Sequence, residues 1–509
     1  MAKTDQFLDA VLTCAQMASC DRWTIEQGLA SGIELMENAG AAIADIVMEK
    51  FADATPIHVL CGPGNNGGDG YIVARLMRER GADVHLYALA NPKAGTDAAL
   101  AAALWQGDVS TFDDFQPSNN RGLLIDAVFG AGFKGSLPNN VKTALTRANK
   151  CGMRKLAVDV PSGLYGDTGK VDFELECDAT VTFFRKKLGH LCGRGPDMCG
   201  ELIVADIGVR TDFNNEHVPT VYENTPATWN DQLPARIRNT HKYLQGHVAV
   251  FSGPKYKTGA ARLSAMAAAR SGAGAVTLLG SNDALDVHAT HVSSIMLKQC
   301  MKDDAREALD ALNKLRAIVL GPGFDDLAEA RAITEICLSS DAGFELPLVL
   351  DADGITAFAD NPEALFELSR THPKPALVLT PHEGEFARLF PDLAADEALG
   401  KVQQAQAAAQ RANAVIVFKG ADTIIAEPRL NDASDAVAAI NTNGTPALAT
   451  AGSGDVLAGV IAGLMAQNMS PFYAACAAVW MHGEAGKIAG PVCIAEDLVE
   501  ALRGIQLAS

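Results

Sequence analysis

Two series of short apolar, β-branched runs, each alternating with helical patterns, constrain the fold of this chain more than any other feature. The first series predicts strands near residues 57–61, 84–88, 123–129, 156–160, 180–184 and 202–207. The second series predicts strands near residues 247–251, 276–279, 318–320, 348–350, 377–379 and 415–418. Because strands that alternate with helices form parallel sheets, the sequence predicts an α/β architecture in both halves.

A polar stretch at residues 210–239 separates the two series and indicates a domain boundary. The length of 509 residues also favours two cores, since a single domain usually holds about 100–200 residues. We therefore expect one domain over residues 1–224 and a second over residues 225–509.

The charge and the cysteines exclude several classes of protein. A formal net charge of −19 opposes broad binding to nucleic acid or to an anionic membrane. Charged residues interrupt both the N-terminus and the most apolar stretch, which contains Asp455, so neither a secretion signal nor a membrane span is expected. The 11 cysteines show no CxxC pair and are expected to be reduced. We expect a cytoplasmic protein that forms a homo-oligomer.

A glycine-rich segment at residues 62–70 follows the first predicted strand and precedes a helical pattern at residues 71–80. It reads Gly-Pro-Gly-Asn-Asn-Gly-Gly-Asp-Gly. Glycines allow backbone amides to approach an anion closely, and the helix adds the positive end of its dipole. A plain glycine-rich turn is the alternative. The segment therefore predicts a phosphate-binding loop that is neither a P-loop nor a dinucleotide fingerprint.

Two aspartates follow neighbouring predicted strands in the same half. Asp126 ends one strand, and Asp159 ends the next, directly before Val160, Pro161 and Ser162. Ligands of open α/β sheets collect at the carboxyl ends of the strands, so these carboxylates could bind a cation or transfer protons. Each aspartate alone could instead cap a helix or a turn.

These segments, with Leu35 to Gly40 and Asp206 to Gly208, resemble the NAD(P)H-hydrate epimerases, which have a Rossmann-like three-layer sandwich. The resemblance implies that Asp159 carries out acid/base chemistry and that Asn66, Asp126 and Ser162 bind potassium. It also implies a set of residues that contact the hydrated cofactor: Asn65, Asn66, Gly67, Gly68, Asp69, Gly130, Ala131, Gly132, Phe133, Lys134, Gly135, Ser136 and Asp159. One departure is Asn38, where the family often has arginine.

The most informative segment of the second half is Gly452-Ser453-Gly454-Asp455, which opens a helical pattern. Small residues leave the first amides of a helix free to hold a phosphoryl group. Asp455 could accept the proton of a hydroxyl that attacks this phosphate, although an aspartate here could also be a helix cap.

This segment resembles the ribokinase-like superfamily of α/β small-molecule kinases, and further motifs point to its ADP/ATP-dependent NAD(P)H-hydrate dehydratase branch. Those motifs are Lys257 to Ala260, Gly321 to Gly323, Leu350 to Asp353, Leu379 to Glu385 and Phe418 to Thr423. Where the family commonly has His-Lys-Gly-Asp, the chain has His241, Lys242, Tyr243 and Leu244.

The second resemblance implies a binding site for two small molecules. Ala260, Gly323, His382 and Asp455 would contact the hydrated nicotinamide cofactor, and Asp455 would be catalytic. The adenine nucleotide, ADP or ATP, would be held by Lys419, Gly420, Ala421, Asp422, Thr423 and Gly454. Asp351 and Asp353 could be structural or could order magnesium.

Together the two resemblances imply a bifunctional isomerase and lyase for metabolite repair. The first domain would interconvert the R and S hydrates of NADH and NADPH, and the second would dehydrate the S hydrate, releasing AMP and phosphate when ADP is used. Two alternatives stay open. The second half could be a small-molecule kinase, because Gly452 to Asp455 is shared with such kinases, or the first half could be a nucleotide-sensing module without activity.

Overall fold

A computed structural model describes residues 9–117, 120–210, 218–234, 245–300, 304–339, 346–429 and 436–506. The chain divides into two compact units, Met1–Pro219 and Thr220–Ser509. This division precedes the boundary expected at residue 225, because the strand Val221–Glu223 pairs with Val437–Ile440 in the second unit. The departure at residues 241–244 lies outside the described residues.

The described residues of the first unit form nine strands. They are β1 Val11–Leu12, β2 Ile57–Cys61, β3 Val84–Ala88, β4 Val109–Ser110, β5 Leu123–Ala127, β6 Arg154–Val158, β7 Ala179–Phe183, β8 Lys186–Lys187 and β9 Glu201–Ala205. Seven of them form a parallel sheet in the order β4-β3-β2-β5-β6-β7-β9, and β1 and β8 pair with each other.

Helices cover both faces of this sheet. The helices Gly32–Lys50 and Asn65–Glu79 pack their apolar residues against the strand residues of one face of the sheet. The helix Asn139–Cys151 packs against the strand residues of the other face and forms a second core. The remaining helices of the unit are Cys14–Glu26, Asp97–Ala103, Leu188–Leu191, Gly195–Cys199 and the 3-10 turn Phe112–Asp114. The unit is therefore the three-layer sandwich that the sequence predicts.

The second unit has a sheet of ten strands in the order β10-β19-β18-β17-β16-β15-β14-β11-β12-β13. Only β18 runs antiparallel to its neighbours among these described strands. The strands are β10 Val221–Glu223, β11 His247–Phe251, β12 Ala275–Gly280, β13 Met296–Gln299, β14 Leu315–Leu320, β15 Leu348–Leu350, β16 Leu377–Leu379, β17 Val415–Phe418, β18 Ile424–Glu427 and β19 Val437–Ile440.

Alanine- and glycine-rich helices form much of the core of the second unit. The helices Thr258–Arg270 and Ser453–Ala466 lie very close together, because a Cβ atom on Gly459 would stand 2.1 Å from the Ser264 carbonyl oxygen. The other helices are Pro226–Trp229, Asn282–Ala289, Ala305–Asp310, Leu327–Leu338, Asp353–Thr356, Pro362–Arg370, Glu383–Leu389, Pro391–Ala395, Lys401–Ala412, Pro471–Ala489 and Ala495–Ala501, with 3-10 turns at Asn230–Gln232, Pro446–Leu448 and Leu502–Gly504.

The α/β prediction is confirmed, and every predicted run overlaps a strand. The strands that the sequence does not predict have two to four residues, and most of them include polar or charged residues that interrupt an apolar run. They are β1, β4, β8, β10, β13, β18 and β19. No helix among the described residues has the length and apolarity needed to cross a bilayer.

Gly459→Ala is expected to destabilise the second unit. The added methyl group would meet a backbone carbonyl that cannot move without separating two helices, and such overpacking costs about 1–3 kcal/mol. Thermal unfolding should show a lower midpoint than wild type. Gly259→Ala is the matched control, because its Cβ would have no atom within 4 Å. Equal midpoints for the two variants would contradict the close helix contact.

Candidate active sites

The glycine-rich loop of the first unit is held tightly against the chain that follows β5. A Cβ atom on Gly62 would stand 1.9 Å from the Val128 carbonyl oxygen, and one on Gly67 would stand 1.8 Å from the Gly62 carbonyl oxygen. Only glycine can occupy these two positions. The helix begins at Asn65, inside the predicted loop, so Asn65 to Asp69 form its first turn and its amides lie at the loop.

A cavity of about 490 Å³ lies beside this loop. Eight of the predicted site residues line it, namely Asn65, Asn66, Asp69, Gly130, Ala131, Gly132, Phe133 and Asp159. The structure places the other predicted contacts elsewhere. Gly68 packs against Met36, Gly135 accepts a hydrogen bond from Tyr165, and Ser136 bonds to Asp172. Gly67 closes the loop and Lys134 is exposed.

Asp159 stands where the sequence predicts, directly after β6, and has a φ of +65°. One carboxylate oxygen accepts hydrogen bonds from Lys187 Nζ at 2.7 Å and Thr182 Oγ1 at 3.0 Å, and the other accepts the Ala131 N–H at 2.9 Å. Burial alone raises the pKa of Asp159, but the charge of Lys187 and these bonds outweigh it and lower the pKa to about 2. Asp159 is therefore an anion at neutral pH.

Lys187 and His190 are parts of this site that the sequence reasoning missed. The Lys187 side chain is 1% exposed. His190 Nδ1 accepts the Lys187 backbone N–H at 3.0 Å, so its Nε2–H donates to the Asp159 carbonyl oxygen at 2.8 Å. Burial and the charge of Lys187 lower the pKa of His190 to about 4, which keeps it neutral. The available signal was a lysine three residues beyond the predicted strand at residues 180–184.

Two further carboxyl groups face the same cavity. Burial, with the charge of Asp159, raises the pKa of Asp69 well above its usual range. Asp21, from the first helix, has a pKa raised to about 6 by burial. The cavity wall thus combines Asp159, whose pKa is lowered, with two carboxyl groups whose pKa values are raised.

Two of the three predicted cation ligands, Asp126 and Ser162, form a buried polar pair. Asp126 is fully buried and accepts the Ser162 N–H and hydroxyl, both at 2.7 Å. Ser162 Oγ also accepts the Phe129 N–H at 3.0 Å. The third, Asn66, lines the cavity beside Gly130, whose Cβ would stand 2.7 Å from Asn66 Oδ1 and 2.9 Å from Asp159 Oδ2. The structure therefore pairs Asp126 with Ser162 and places Asn66 near Asp159.

In the second unit, Asp455 lies in the first turn of the helix Ser453–Ala466, after Gly452 with a φ of +89°. Burial and the charge of Asp351 raise the pKa of Asp455 to about 7. Its carbonyl oxygen accepts the Ser264 hydroxyl at 2.8 Å, which fixes the turn against the neighbouring helix. A carboxyl group with this pKa is matched to proton transfer near neutral pH.

Lys419 connects Asp455 to the strand ends. Its Nζ bonds to Asp351 at 2.7 Å, and Asp351, which is 2% exposed, also accepts the Thr380 hydroxyl at 2.7 Å. A Cβ on Gly454 would stand 3.4 Å from Lys419 Nζ and 3.6 Å from Asp351 Oδ2. The structure thus brings together Lys419, Gly454 and Asp455, which the sequence assigned to nucleotide and substrate.

The predicted nucleotide residues Lys419 to Thr423 form the tight turn between β17 and β18. The Gly420 N–H donates to Thr423 Oγ1 at 3.2 Å, and the Thr423 hydroxyl donates to the Gly420 carbonyl at 2.8 Å. Lys401 Nζ bonds to Asp422 at 2.6 Å. Ala421 is exposed and lies beside Gly444, whose Cβ would stand 3.3 Å from its carbonyl oxygen. The turn is closed by its own side chains.

The remaining predicted substrate residues occupy two places. Ala260 and Gly323 are neighbours, since a Cβ on Gly323 would stand 3.1 Å from Ala260 Cβ. His382 is exposed and caps a helix, accepting the Gly384 N–H at 3.0 Å, with its Nε2 3.4 Å from Glu385. Glu385 in turn lies close enough to Lys419 for their charges to interact, so His382 lies near the Lys419 cluster.

Comparison with known proteins identifies the family to which this chain belongs. A family model described as "YjeF-related protein N-terminus" matches residues 32–189, and one described as "NAD(P)H-hydrate dehydratase" matches residues 248–493. The bifunctional NAD(P)H-hydrate repair enzyme Nnr of Moorella thermoacetica is 35% identical over 511 residues, covering 94% of this chain and 92% of that protein. The chain belongs to the bifunctional NAD(P)H-hydrate repair enzymes.

A second repair enzyme gives the same assignment. The Escherichia coli Nnr protein is 31% identical over 460 residues, covering 89% of this chain and 85% of the relative. The predicted epimerase and dehydratase functions are therefore confirmed. Among solved structures, the chain is similar to a Bacillus subtilis ADP/ATP-dependent NAD(P)H-hydrate dehydratase, crystallised with ATP and Mg²⁺, which is 27% identical with a TM-score of 0.46 and covers 55% of this chain and 95% of that one.

Asn38, the departure from the usual arginine, has a structural role in this repair enzyme. Its Nδ2 donates to the Ile207 carbonyl at 2.9 Å, and Ile207 lines the N-terminal cavity. Asn38 therefore helps to hold Ile207 in its place in the cavity wall.

Lys187→Met should strongly destabilise the first unit. It would leave the mostly buried Asp159 carboxylate without its cation, and breaking one side of a buried pair costs about 3–5 kcal/mol. Denaturant unfolding of the first unit measures this loss. The double variant Lys187→Met with Asp159→Asn should recover part of the stability, because no charge is left unpaired. A single variant as stable as wild type would contradict the ion pair.

Proposed function

We propose that the two units act in sequence on hydrated NADH and NADPH. The first unit interconverts the R and S epimers, and the second dehydrates the S epimer with ADP or ATP, releasing AMP and phosphate when ADP is used. The observation that carries this proposal is that each unit has its own acid/base group, Asp159 beside Lys187 and Asp455 beside Lys419. One chain therefore carries two separate acid/base sites.

The acid/base arrangement of the first unit supports epimerisation. Inverting the carbon that carries the hydroxyl requires a bond to that carbon to break and form again, with a proton given and a proton taken. Asp159 is ionised and can accept a proton, whereas burial and the charge of Asp159 raise the pKa of Asp69 and so favour its protonated form, which can donate one. The cavity would hold the hydrate through Asn65 to Asp69 and Gly130 to Phe133.

We assign potassium to Asn66, Asp126 and Ser162. Their side chains offer hard oxygen atoms, which such cations prefer. Burial raises the pKa of Asp126 to about 6, and in the described chain its oxygens accept bonds from Ser162 and Val128. A bound cation would supply the positive charge that this carboxylate requires and would hold the loop after β5.

The second unit supports dehydration by phosphoryl transfer. Asp455 takes the proton of the substrate hydroxyl, whose oxygen then attacks the terminal phosphorus of ADP and displaces AMP. The phosphorylated hydroxyl leaves as phosphate when the carbon–oxygen bond breaks, and loss of a proton from the adjacent carbon completes the double bond of NADH. Lys419 would stabilise the negative charge of the transferred group at the helix start.

We assign each small molecule to its own set of residues around Asp455. Ala260, Gly323 and His382 would hold the hydrate, and Lys419 to Thr423 with Gly454 would hold the nucleotide. Among the described residues no three or more His, Cys, Asp or Glu side chains form a metal-binding group. Mg²⁺ would therefore be bound mainly by the nucleotide phosphates.

We further propose a cytoplasmic homo-oligomer. None of the 11 cysteines, all within the described chain, forms a disulfide bond, which suits a reducing compartment. Three apolar side chains of the second unit are strongly exposed: Ile488 at 53%, Val492 at 94% and Ile494 at 57%. Association of two copies over such side chains would remove them from water.

Asp159→Asn should stop epimerisation and leave dehydration of the S hydrate unchanged. The substitution keeps the size of the side chain and removes the proton acceptor, and general base catalysis is worth about 100- to 10,000-fold. The measurement is NADH formation from the pure R hydrate with ADP, which should fall to the spontaneous rate. Asp178→Asn, a strand-start aspartate bonded to the Lys155 N–H, is the control. A wild-type rate on the R hydrate would exclude Asp159.

Asp455→Asn should remove dehydration of the S hydrate but keep ADP binding, because the backbone amides of the helix start are untouched. In the wild type, the rate should fall as pH drops below about 7, where Asp455 becomes protonated. Calorimetric ADP binding and NADH absorbance measure the two effects. Asp497→Asn changes an aspartate that caps another helix and should have no effect. Near-normal turnover of Asp455→Asn would make Asp455 a helix cap.

A further inference from the structure

A second cavity, of about 670 Å³, lies in the second unit and is lined by none of the site residues named above. It opens beyond the ends of β11 and β12, next to the loop that follows β14. Its volume is in the range of pockets that bind small molecules. The lining residues are Phe251, Ser252, Gly253, Pro254, Leu279, Gly280, Ser281, Cys300, Phe324, Asp325, Asp326, Leu327, Glu329 and Ile333.

The position of this cavity in the sheet is the one where ligands of open α/β sheets bind. From β11 the chain crosses to β12 on one side, and later returns to β14 on the other side of β11. The connections therefore leave in opposite directions from this point, which creates a crevice at the carboxyl ends of the strands. The cavity occupies this switch point.

The lining selects an uncharged nucleoside over a phosphate. Phe251, Leu279 and Phe324 provide apolar surface for a flat base. The cavity wall also carries three carboxyl groups, those of Asp325, Asp326 and Glu329. Asp325 pairs with Lys257, and the three carboxyl groups outnumber this cation. The wall therefore keeps an excess of negative charge, which repels phosphate, and offers oxygen atoms that accept hydrogen bonds from sugar hydroxyls. The diphosphate of a dinucleotide would therefore lie outside this cavity, and only a nucleoside end would enter it.

A short path of contacts leads from the cavity to Asp455. A Cβ on Gly253, which lines the cavity, would stand 1.8 Å from the Gly323 carbonyl oxygen, and Gly323 neighbours Ala260. Ala260 lies one helical turn before Ser264, whose hydroxyl bonds to the Asp455 carbonyl oxygen. The residues assigned to the reacting hydrate thus lie between the cavity and the catalytic aspartate.

We propose that this cavity binds the adenosine end of the hydrated dinucleotide while its hydrated nicotinamide reaches Asp455. This inference rests on the proposed dehydratase function. The adenine nucleotide is not assigned to this cavity, because the turn assigned to it follows β17. In the sheet, β14, β15 and β16 separate that turn from β11. Binding energy from the adenosine end would hold the reacting ring in place and would raise the rate as well as the affinity.

Leu327→Trp tests the proposal, because Leu327 lines the cavity, is 39% exposed and begins a helix, so a larger side chain fills the cavity without entering the core. Ala328→Trp, on the next exposed residue of the same helix, is the matched control. Two substrates are compared with ADP: the S hydrate of NADH, and the S hydrate of reduced nicotinamide mononucleotide, which has no adenosine end.

Wild type should use the dinucleotide hydrate about tenfold or more better in kcat/KM than the mononucleotide hydrate. Leu327→Trp should remove most of this advantage, leave the mononucleotide rate and the KM for ADP unchanged, and differ from Ala328→Trp. Equal losses on both substrates, no loss on either, or a raised KM for ADP would overturn the assignment. Failure of wild type to dehydrate either hydrate would instead reject the proposed function.

Discussion

Each candidate site depends on an ion pair between a largely buried lysine and an aspartate at the end of a parallel strand. In the first unit the pair is Lys187 with Asp159, and in the second it is Lys419 with Asp351, both at 2.7 Å. Burying one of these charges alone would be very unfavourable. The pairs therefore fix where the sheet edge, the lysine segment and the helix start meet, and they set the electrostatic field in which the other carboxyl groups titrate.

The different surroundings of the paired and unpaired carboxyl groups explain how each unit could do acid/base chemistry at neutral pH. Lys187 lowers the pKa of Asp159, whereas burial and the negative charge of Asp159 raise the pKa of Asp69. In the second unit Lys419 pairs with Asp351, and burial together with the charge of Asp351 raises the pKa of Asp455 to about 7. In each site the carboxyl group without the lysine is therefore the one whose pKa is raised.

The sequence predicted what depends on local pattern. Apolar runs located strands as short as β15 and β16, and the glycine-rich segment, Asp159 and Asp455 stand out because their motifs are contiguous. Lys187 and His190 could not be found in this way, because they reach Asp159 only through the folded sheet. The helix start at Asn65 was also missed, since four glycines within residues 64–70 hide a helical pattern. Contacts between distant segments, such as Asn38 with Ile207, require the structure.

The central claim is that the second unit dehydrates by phosphorylating the hydroxyl and then eliminating phosphate, so that a kinase arrangement performs a dehydration. The most direct test uses S hydrate labelled with ¹⁸O in its hydroxyl group, with ADP and excess enzyme in unlabelled water. Mass spectrometry of the released phosphate should find the ¹⁸O there, because the carbon–oxygen bond is the one that breaks. Recovery of the label in water, with unlabelled phosphate, would contradict the account.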